Sequence, residues 1–188
     1  MTGCPIGLMN TSLIETLRLA QRLGFFGAAP IETAVAHADG FVAALGELPD
    51  GTRIADLGSG GGLPGLVLAA RYPAASVLLI DRRQKRTDFL ERAARRLAFA
   101  HVSVFPGDAE QIRREVHAGT RAGFDVVTAR GFGPPESTLR LAVGLLVAGG
   151  RAVISEPPAG DRWQPALLDE LGVENQRVGS VRVFRRFT

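Results

Sequence analysis

From Thr52 onward, short apolar runs alternate with longer stretches of helical periodicity, and this alternation limits the chain to few folds. RIADLG, SVLLID, HVSVFPGD, FDVVTARGF and RAVISEP read as five strands. LPGLVLAARY, QKRTDFLERAARRLA, AEQIRREVHAG and PESTLRLAVGLL read as the helices between them, the last ended by Gly149-Gly150. A helix after each strand lets the next strand run in the same direction, so the expected sheet is mainly parallel with both faces covered. Trp163 to Leu171 reads as a last helix. VENQRV and SVRVFRRF read as a hairpin turned at Gly179-Ser180, completing seven strands with an antiparallel edge.

The first fifty residues follow another pattern. Residues 8–24 carry Leu13, Leu17 and Ala20 at helical spacing, with Asn10, Thr11 or Ser12 as caps and Gly24 as a stop. GFFGAAP breaks the period, and residues 31–48 form a second helical stretch closed by Pro49-Asp50-Gly51. The expected organisation is therefore a helical appendage over residues 1–50 and one compact α/β unit over 51–188.

Composition narrows the function classes. A chain of 188 residues, 46% hydrophobic and 22% charged, suits a single soluble domain. No uncharged apolar run reaches membrane-spanning length, and no basic segment with an apolar core opens the chain, so neither a membrane span nor a signal peptide is expected. Cys4 is the single cysteine, and His37, His101 and His117 are scattered, so neither a disulfide nor a metal site is expected. A cytoplasmic protein is therefore expected. The net charge of +3 permits an RNA partner without requiring one.

The first strand runs into residues 55–65, ADLGSGGGLPG. In an open α/β sheet the ligand lies at the carboxyl ends of the strands, and glycines there let backbone approach it closely. Gly60, Gly62 and Gly65 spell the dinucleotide pattern G-x-G-x-x-G. Asp56, Gly58 and Gly60 spell D-x-G-x-G, the S-adenosylmethionine pattern. A carboxylate two residues before the first glycine repels a pyrophosphate and attracts a sulfonium or ammonium group, so Asp56 favours S-adenosylmethionine over a nicotinamide dinucleotide. Asp81 ends the second strand, where a carboxylate can accept ribose hydroxyls. Asp108 and Glu110 follow the third strand, where class I methyltransferases place adenine contacts, and Asp108 also suits the cap of the next helix.

DLGSGGGLPGLVLA (56–69), DRRQKRTDFL (81–90), TARGF (128–132) and, more loosely, HADGFVAAL (37–45) together resemble the glucose-inhibited division protein B family of bacterial 16S ribosomal RNA guanine-N7 methyltransferases. Lys85, Arg86, Phe89 and Leu90 match that family's K-R-x-x-F-L block, and Ala129-Arg130-Gly131-Phe132 approximates its S-R-A-[FV]. The resemblance implies a class I S-adenosylmethionine-dependent fold, Rossmann-like, acting on ribosomal RNA or the small ribosomal subunit. It implies that Gly58 and Leu63 line the methionine and ribose side of the cofactor, with Gly60 and Gly62 in the same loop. Ala109 and Glu110 would frame the adenine. Arg130 would stand at the transfer site, orienting the cofactor carboxylate or a substrate phosphate. Guanine N7 has a free lone pair and needs no general base, so positioning supplies the rate.

Two departures keep other acceptors open. GFFGAAP stands where the family carries N-L-T, and Ser155-Glu156-Pro157-Pro158 stands where it carries K-G. A glutamate at the substrate mouth would oppose an RNA phosphate. A small-molecule acceptor, or a non-catalytic adenosine-nucleotide-binding role, is therefore the alternative. SEPP itself reads as a rigid turn. Arg82, Arg83, Lys85, Arg86, Arg92, Arg95 and Arg96 crowd the second βα segment and read either as an RNA-facing surface or as a solvated helix face with pairs such as Asp88 and Arg92.

Overall fold

In a computed structural model, which describes residues 11–187, the chain folds around one seven-stranded sheet. Cys4 and Asn10 lie outside the described residues. The elements are α1 (Thr11–Arg22), α2 (Ile31–Leu45), β1 (Arg53–Leu57), α3 (Gly65–Arg71), β2 (Ser76–Asp81), α4 (Gln84–Arg96), β3 (Val102–Pro106) and α5 (Ala109–His117). They continue as β4 (Phe124–Ala129), α6 (Pro135–Leu145), β5 (Leu146–Ser155), α7 (Pro165–Leu171), β6 (Val173–Val178) and β7 (Val181–Arg186). The strand order is β3-β2-β1-β4-β5-β7-β6. β1 to β5 are parallel, and β7 inserts antiparallel between β5 and β6. This is the class I methyltransferase architecture.

The alternation of β1 sorts its side chains between two apolar layers. Ile54 joins a cluster with Leu66, Leu68, Leu79, Phe89 and Leu90, under α3 and α4. Ala55 and Leu57 join a second cluster with Ile112, Leu139, Leu145 and Phe184, on the side of α5 and α6. The winding thus reverses between β1 and β4, and a crevice opens at their carboxyl ends.

The N-terminal helices share the first layer. Leu13, Leu17, Ala20, Val35, Phe41 and Leu45 are buried in the same cluster as the α3 and α4 residues. Tyr72 ties α3 to the end of α2 by donating its hydroxyl to the Gly46 carbonyl at 2.7 Å. Gly40 lies so close to Ser180 that an added Cβ would sit 2.8 Å from its Oγ. The α1–α2 connection is held by Gln21, whose Nε2 donates to the Gly27 and Ala29 carbonyls at 2.9 and 2.6 Å.

One boundary differs from the sequence reading. Helix α6 does not run on to Gly149-Gly150 but stops at Leu145, and Leu146 already pairs with Phe124. The register then shifts, and pairing resumes at Val126 with Arg151. The glycines serve a bulge in β5, with Gly149 at φ +73°, instead of a helix terminus.

Phe41 is wholly buried between the N-terminal helices and the sheet. Phe41→Ala is expected to lower unfolding stability by about 3–5 kcal/mol while leaving a single cooperative transition in urea. A loss under about 1 kcal/mol would mean that α2 is not part of the core.

Candidate functional site

The turn after β1 is built on a buried carboxylate. Asp56 is 0% exposed. Its Oδ1 accepts the Thr128 hydroxyl of β4 at 2.7 Å, and its Oδ2 accepts the Gly65 N–H at the start of α3 at 3.2 Å. Ser59 closes the turn: its hydroxyl donates to the Asp56 carbonyl at 2.9 Å and accepts the Ile80 N–H at 3.1 Å. Burial pushes the Asp56 carboxyl up to about 6, while the Thr128, Ser59 and Gly65 hydrogen bonds and the Arg130 charge hold it down. The sequence reading set Asp56 against the cationic part of a ligand. The structure places it beneath the loop, holding β1, β4 and α3 together.

Asp81, at the end of the neighbouring β2, faces the loop directly. Its Oδ2 accepts the Gly60 N–H at 2.9 Å, and its Oδ1 accepts the Arg83 N–H at 2.9 Å. Arg86 reaches the same Oδ2 at a longer 3.4 Å. The Gly107 N–H, after β3, donates to the Asp81 carbonyl at 3.1 Å, so the ends of β2 and β3 are joined here. Asp108 caps α5, its Oδ1 accepting the Glu110 N–H at 3.0 Å, and its other oxygen lies 3.8 Å from Arg82. Ala109 is buried behind it, and Glu110 is paired with Arg113 at 2.6 Å.

Gly58, Gly60 and Gly62 take positive φ values of 65°, 57° and 101°. Leu63 is buried and packs in the first apolar layer. Two aromatic rings lie on the loop, and neither was legible as a contact in the sequence. An added Cβ on Gly61 would sit 2.6 Å from Cζ of Phe26, and one on Gly58 would sit 2.7 Å from Cδ2 of Phe132. Phe25, next to Phe26, meets Phe89 edge-on with ring centroids 5.5 Å apart, and Arg86 lies over its face at 5.9 Å. GFFGAAP is therefore the strap that covers the glycine loop. Its signal in the sequence was a pair of aromatics set between glycines.

Arg130 follows β4 on the far side of the crevice. It is half-buried, and its one side-chain hydrogen bond among the described residues is a long 3.4 Å contact to the Ala34 carbonyl of α2. Burial lowers its pKa and the Asp56 charge raises it back. His37 of α2 has a buried Nε2 without a partner, and burial together with the Arg130 charge lowers its pKa.

Glu156 corrects an expectation. Its side chain is 0% exposed and presents no charge at the substrate mouth. Its Oε1 accepts from Trp163 Nε1 at 2.8 Å and from Arg162 at 3.2 Å, and Arg182 of β7 lies 3.9 Å from its Oε2. The physical reason is the sheet order: β7 lies beside β5 and brings Arg182 under the strand end. The turn after Glu156 is pinned by Arg177, whose guanidinium donates to the Pro157 and Gly160 carbonyls at 2.6 and 3.3 Å.

The cations of the second βα segment divide into two groups. Arg82, Arg86, Arg95 and Arg96 have carboxylate partners, Arg96 reaching Glu15 of α1 at 3.2 Å. Asp88 accepts from Gln84 at 2.7 Å instead of pairing with Arg92. Arg83, Lys85 and Arg92 are exposed and make no ion pair among the described residues. No group of three or more potential metal ligands occurs among the described residues, and none of their helices is long and apolar enough to cross a membrane.

The sequence profile of the rRNA small subunit methyltransferase G family (GidB) matches residues 37–156. Ribosomal RNA small subunit methyltransferase G of Thermobifida fusca is 44% identical over 103 residues, covering 55% of this chain and 41% of that protein. Its namesake from Sorangium cellulosum is 46% identical over 89 residues, covering 47% and 36%. The match thus spans less than half the length of these curated relatives. Among solved structures, a putative O-methyltransferase from Klebsiella pneumoniae aligns over 97% of this chain and 93% of its own, with a TM-score of 0.71 at 15% identity, a likeness of fold.

The raised Asp56 pKa has a testable sign. Between its ordinary 3.8 and about 6, the folded protein keeps a proton that the unfolded chain has released. Stability from this group is therefore greatest below that window and falls as pH rises through it. An NMR titration of the Asp56 carboxyl is expected to give a midpoint near 6, moving higher in Arg130→Gln as the neighbouring positive charge is lost. A midpoint in the ordinary aspartate range would show that the carboxylate is solvated.

Proposed function

We propose that this chain, which belongs to the rRNA small subunit methyltransferase G family, transfers a methyl group from S-adenosylmethionine to N7 of a guanine in small-subunit ribosomal RNA. The observation that carries the reading is the glycine loop between Asp56 and Gly65, set at the point where the sheet winding reverses and bound to Asp81 of the next strand. Such a site suits the cofactor. The loop's glycines take backbone conformations that side chains rarely adopt, and at Gly60 there is room, since an added Cβ would meet no atom nearer than 3.6 Å. Asp81 spends two oxygens on short backbone bonds and one long contact on Arg86, so accepting capacity remains for ribose hydroxyls.

In this reading the backbone of Gly58 to Gly62 holds the methionine and ribose portion, Asp81 the ribose, and the Asp108–Glu110 turn the adenine. The bound cofactor supplies an activated sulfonium methyl. Arg130 supplies a half-buried guanidinium whose one hydrogen bond among the described residues is long, which leaves donors for the cofactor carboxylate or a phosphate of the acceptor. The chain's part in the reaction is positioning, as in-line transfer to a free lone pair requires.

The acceptor reading as RNA rests on family membership together with the charge of the rim. With Glu156 paired to Arg162 and Arg182, one of the two departures that favoured a small-molecule acceptor, the negative charge at the mouth, falls away. Arg83 and Lys85 are exposed and make no ion pair among the described residues, so a phosphate backbone can meet them. A soluble, cytoplasmic protein fits this role.

The test is transfer of labelled methyl groups from S-adenosylmethionine to small ribosomal subunits that lack N7-methylguanosine. Label is expected in the ribosomal RNA, recovered as N7-methylguanosine after digestion. Binding of the cofactor with no label in RNA would overturn the acceptor assignment.

A further inference from the structure

We infer that Phe132 is the platform on which the planar acceptor is stacked against the donor loop. This rests on the reading of the acceptor as a nucleobase. Phe132 is 37% exposed and is one of three large exposed hydrophobic residues among those described, with Leu23 and Phe187. It belongs to neither apolar layer, and none of the four ring–ring contacts among the described residues includes it. Its cover is the backbone of Gly58: the atoms nearest an added Cβ there are Cδ2, Cε2 and Cγ of Phe132, at 2.7, 3.5 and 3.7 Å.

The turn that carries the ring is well fixed. Arg130 precedes it with its bond to α2, Gly131 takes φ +59°, and Pro134 leads into helix α6, which opens at Pro135. An exposed aromatic on a short turn, beside a half-buried cation and over the first glycine of the donor loop, has the geometry of a base-stacking surface. A nucleobase needs a flat apolar face to stack on, which the exposed part of this ring supplies.

The chemistry strengthens the inference. In the transfer, the N7 lone pair forms the new N–CH3 bond and the electron pair of the breaking S–CH3 bond returns to sulfur. The sulfonium becomes a neutral thioether, and the neutral guanine becomes a cation. An aromatic face attracts a cation stacked on it, so Phe132 binds the methylated base more strongly than the unmethylated one. Interaction that grows along the reaction speeds the chemical step as well as binding.

The measurement uses the protein saturated with S-adenosylhomocysteine and two probes, guanosine 5′-monophosphate and its 7-methyl form. The wild type is expected to bind both and to prefer the methylated nucleotide. Phe132→Leu is expected to lose about tenfold or more in affinity for the 7-methyl form, along with the preference. Phe132→Tyr keeps both, and neither change moves the melting temperature or the affinity for S-adenosylhomocysteine. Three results each overturn the inference: no nucleotide affinity in the wild type, equal affinities in wild type and Phe132→Leu, or a parallel loss of S-adenosylhomocysteine binding that would place the ring in the cofactor site. If the wild type transfers no methyl group to ribosomal RNA yet passes the nucleotide test, the RNA assignment fails and the platform stands.

Discussion

The carboxylate of Asp56 is the interaction on which the rest of the site depends. It is fully buried, yet it is shared by three elements: β1 carries it, β4 reaches it through Thr128, and α3 begins on it at the Gly65 N–H. An unpaired buried carboxylate would be costly, so the three elements are held where its acceptors are filled. The loop from Gly58 to Pro64 must then arch above the strand ends, with its glycines in backbone conformations that other residues seldom adopt. Ser59 and Asp81 fasten the arch to β2 from the other side. The shape of the glycine loop thus follows from satisfying one buried carboxyl group.

Charge around the crevice is organised by the same rule that buried ions need partners. Glu156 is covered by Trp163 and faced by two arginines, so the end of β5 offers no free negative charge. Arg130 is the opposite case: a half-buried cation whose only hydrogen bond among the described residues is long. Together with the unpaired Arg83 and Lys85, it gives the mouth a cationic bias suited to an anionic acceptor, though the chain as a whole is only mildly basic. Phe26 and Phe132 bracket the glycine loop with apolar surface, Phe26 from the strap between α1 and α2 and Phe132 from the turn after β4. Cations and aromatic rings thus lie close together around the glycine loop, the arrangement on which the proposed RNA acceptor rests.

Much of the fold was legible in the sequence because it rests on local pattern. The strand–helix alternation from Thr52 gives the sheet, the Gly179-Ser180 turn gives the antiparallel pair, and Asp108 is the helix cap its position suggested. What was not legible depends on pairs far apart along the chain. The partner of Asp56 is Thr128, 72 residues on, and nothing local in RIADLG indicates it. The neutralisation of Glu156 needs Arg182, which arrives only because β7 inserts beside β5. Likewise, GFFGAAP reads as a break between helices until the fold lays Phe26 on Gly61. The start of β5 was misplaced because its glycines signal a helix stop and a bulge equally well.

Amide chemical-shift mapping of the protein titrated with S-adenosylmethionine tests most directly whether the loop between β1 and α3 is the donor site. The largest shifts are predicted at Gly58, Gly60 and Gly62, at Asp81 and Arg83, and at Ala109 and Glu110, which together line the ends of three adjacent strands. Shifts confined to another surface, such as the groove between the end of α4 and the edge strand β3 around Phe99 and Val104, or no shifts at saturating cofactor, would contradict it.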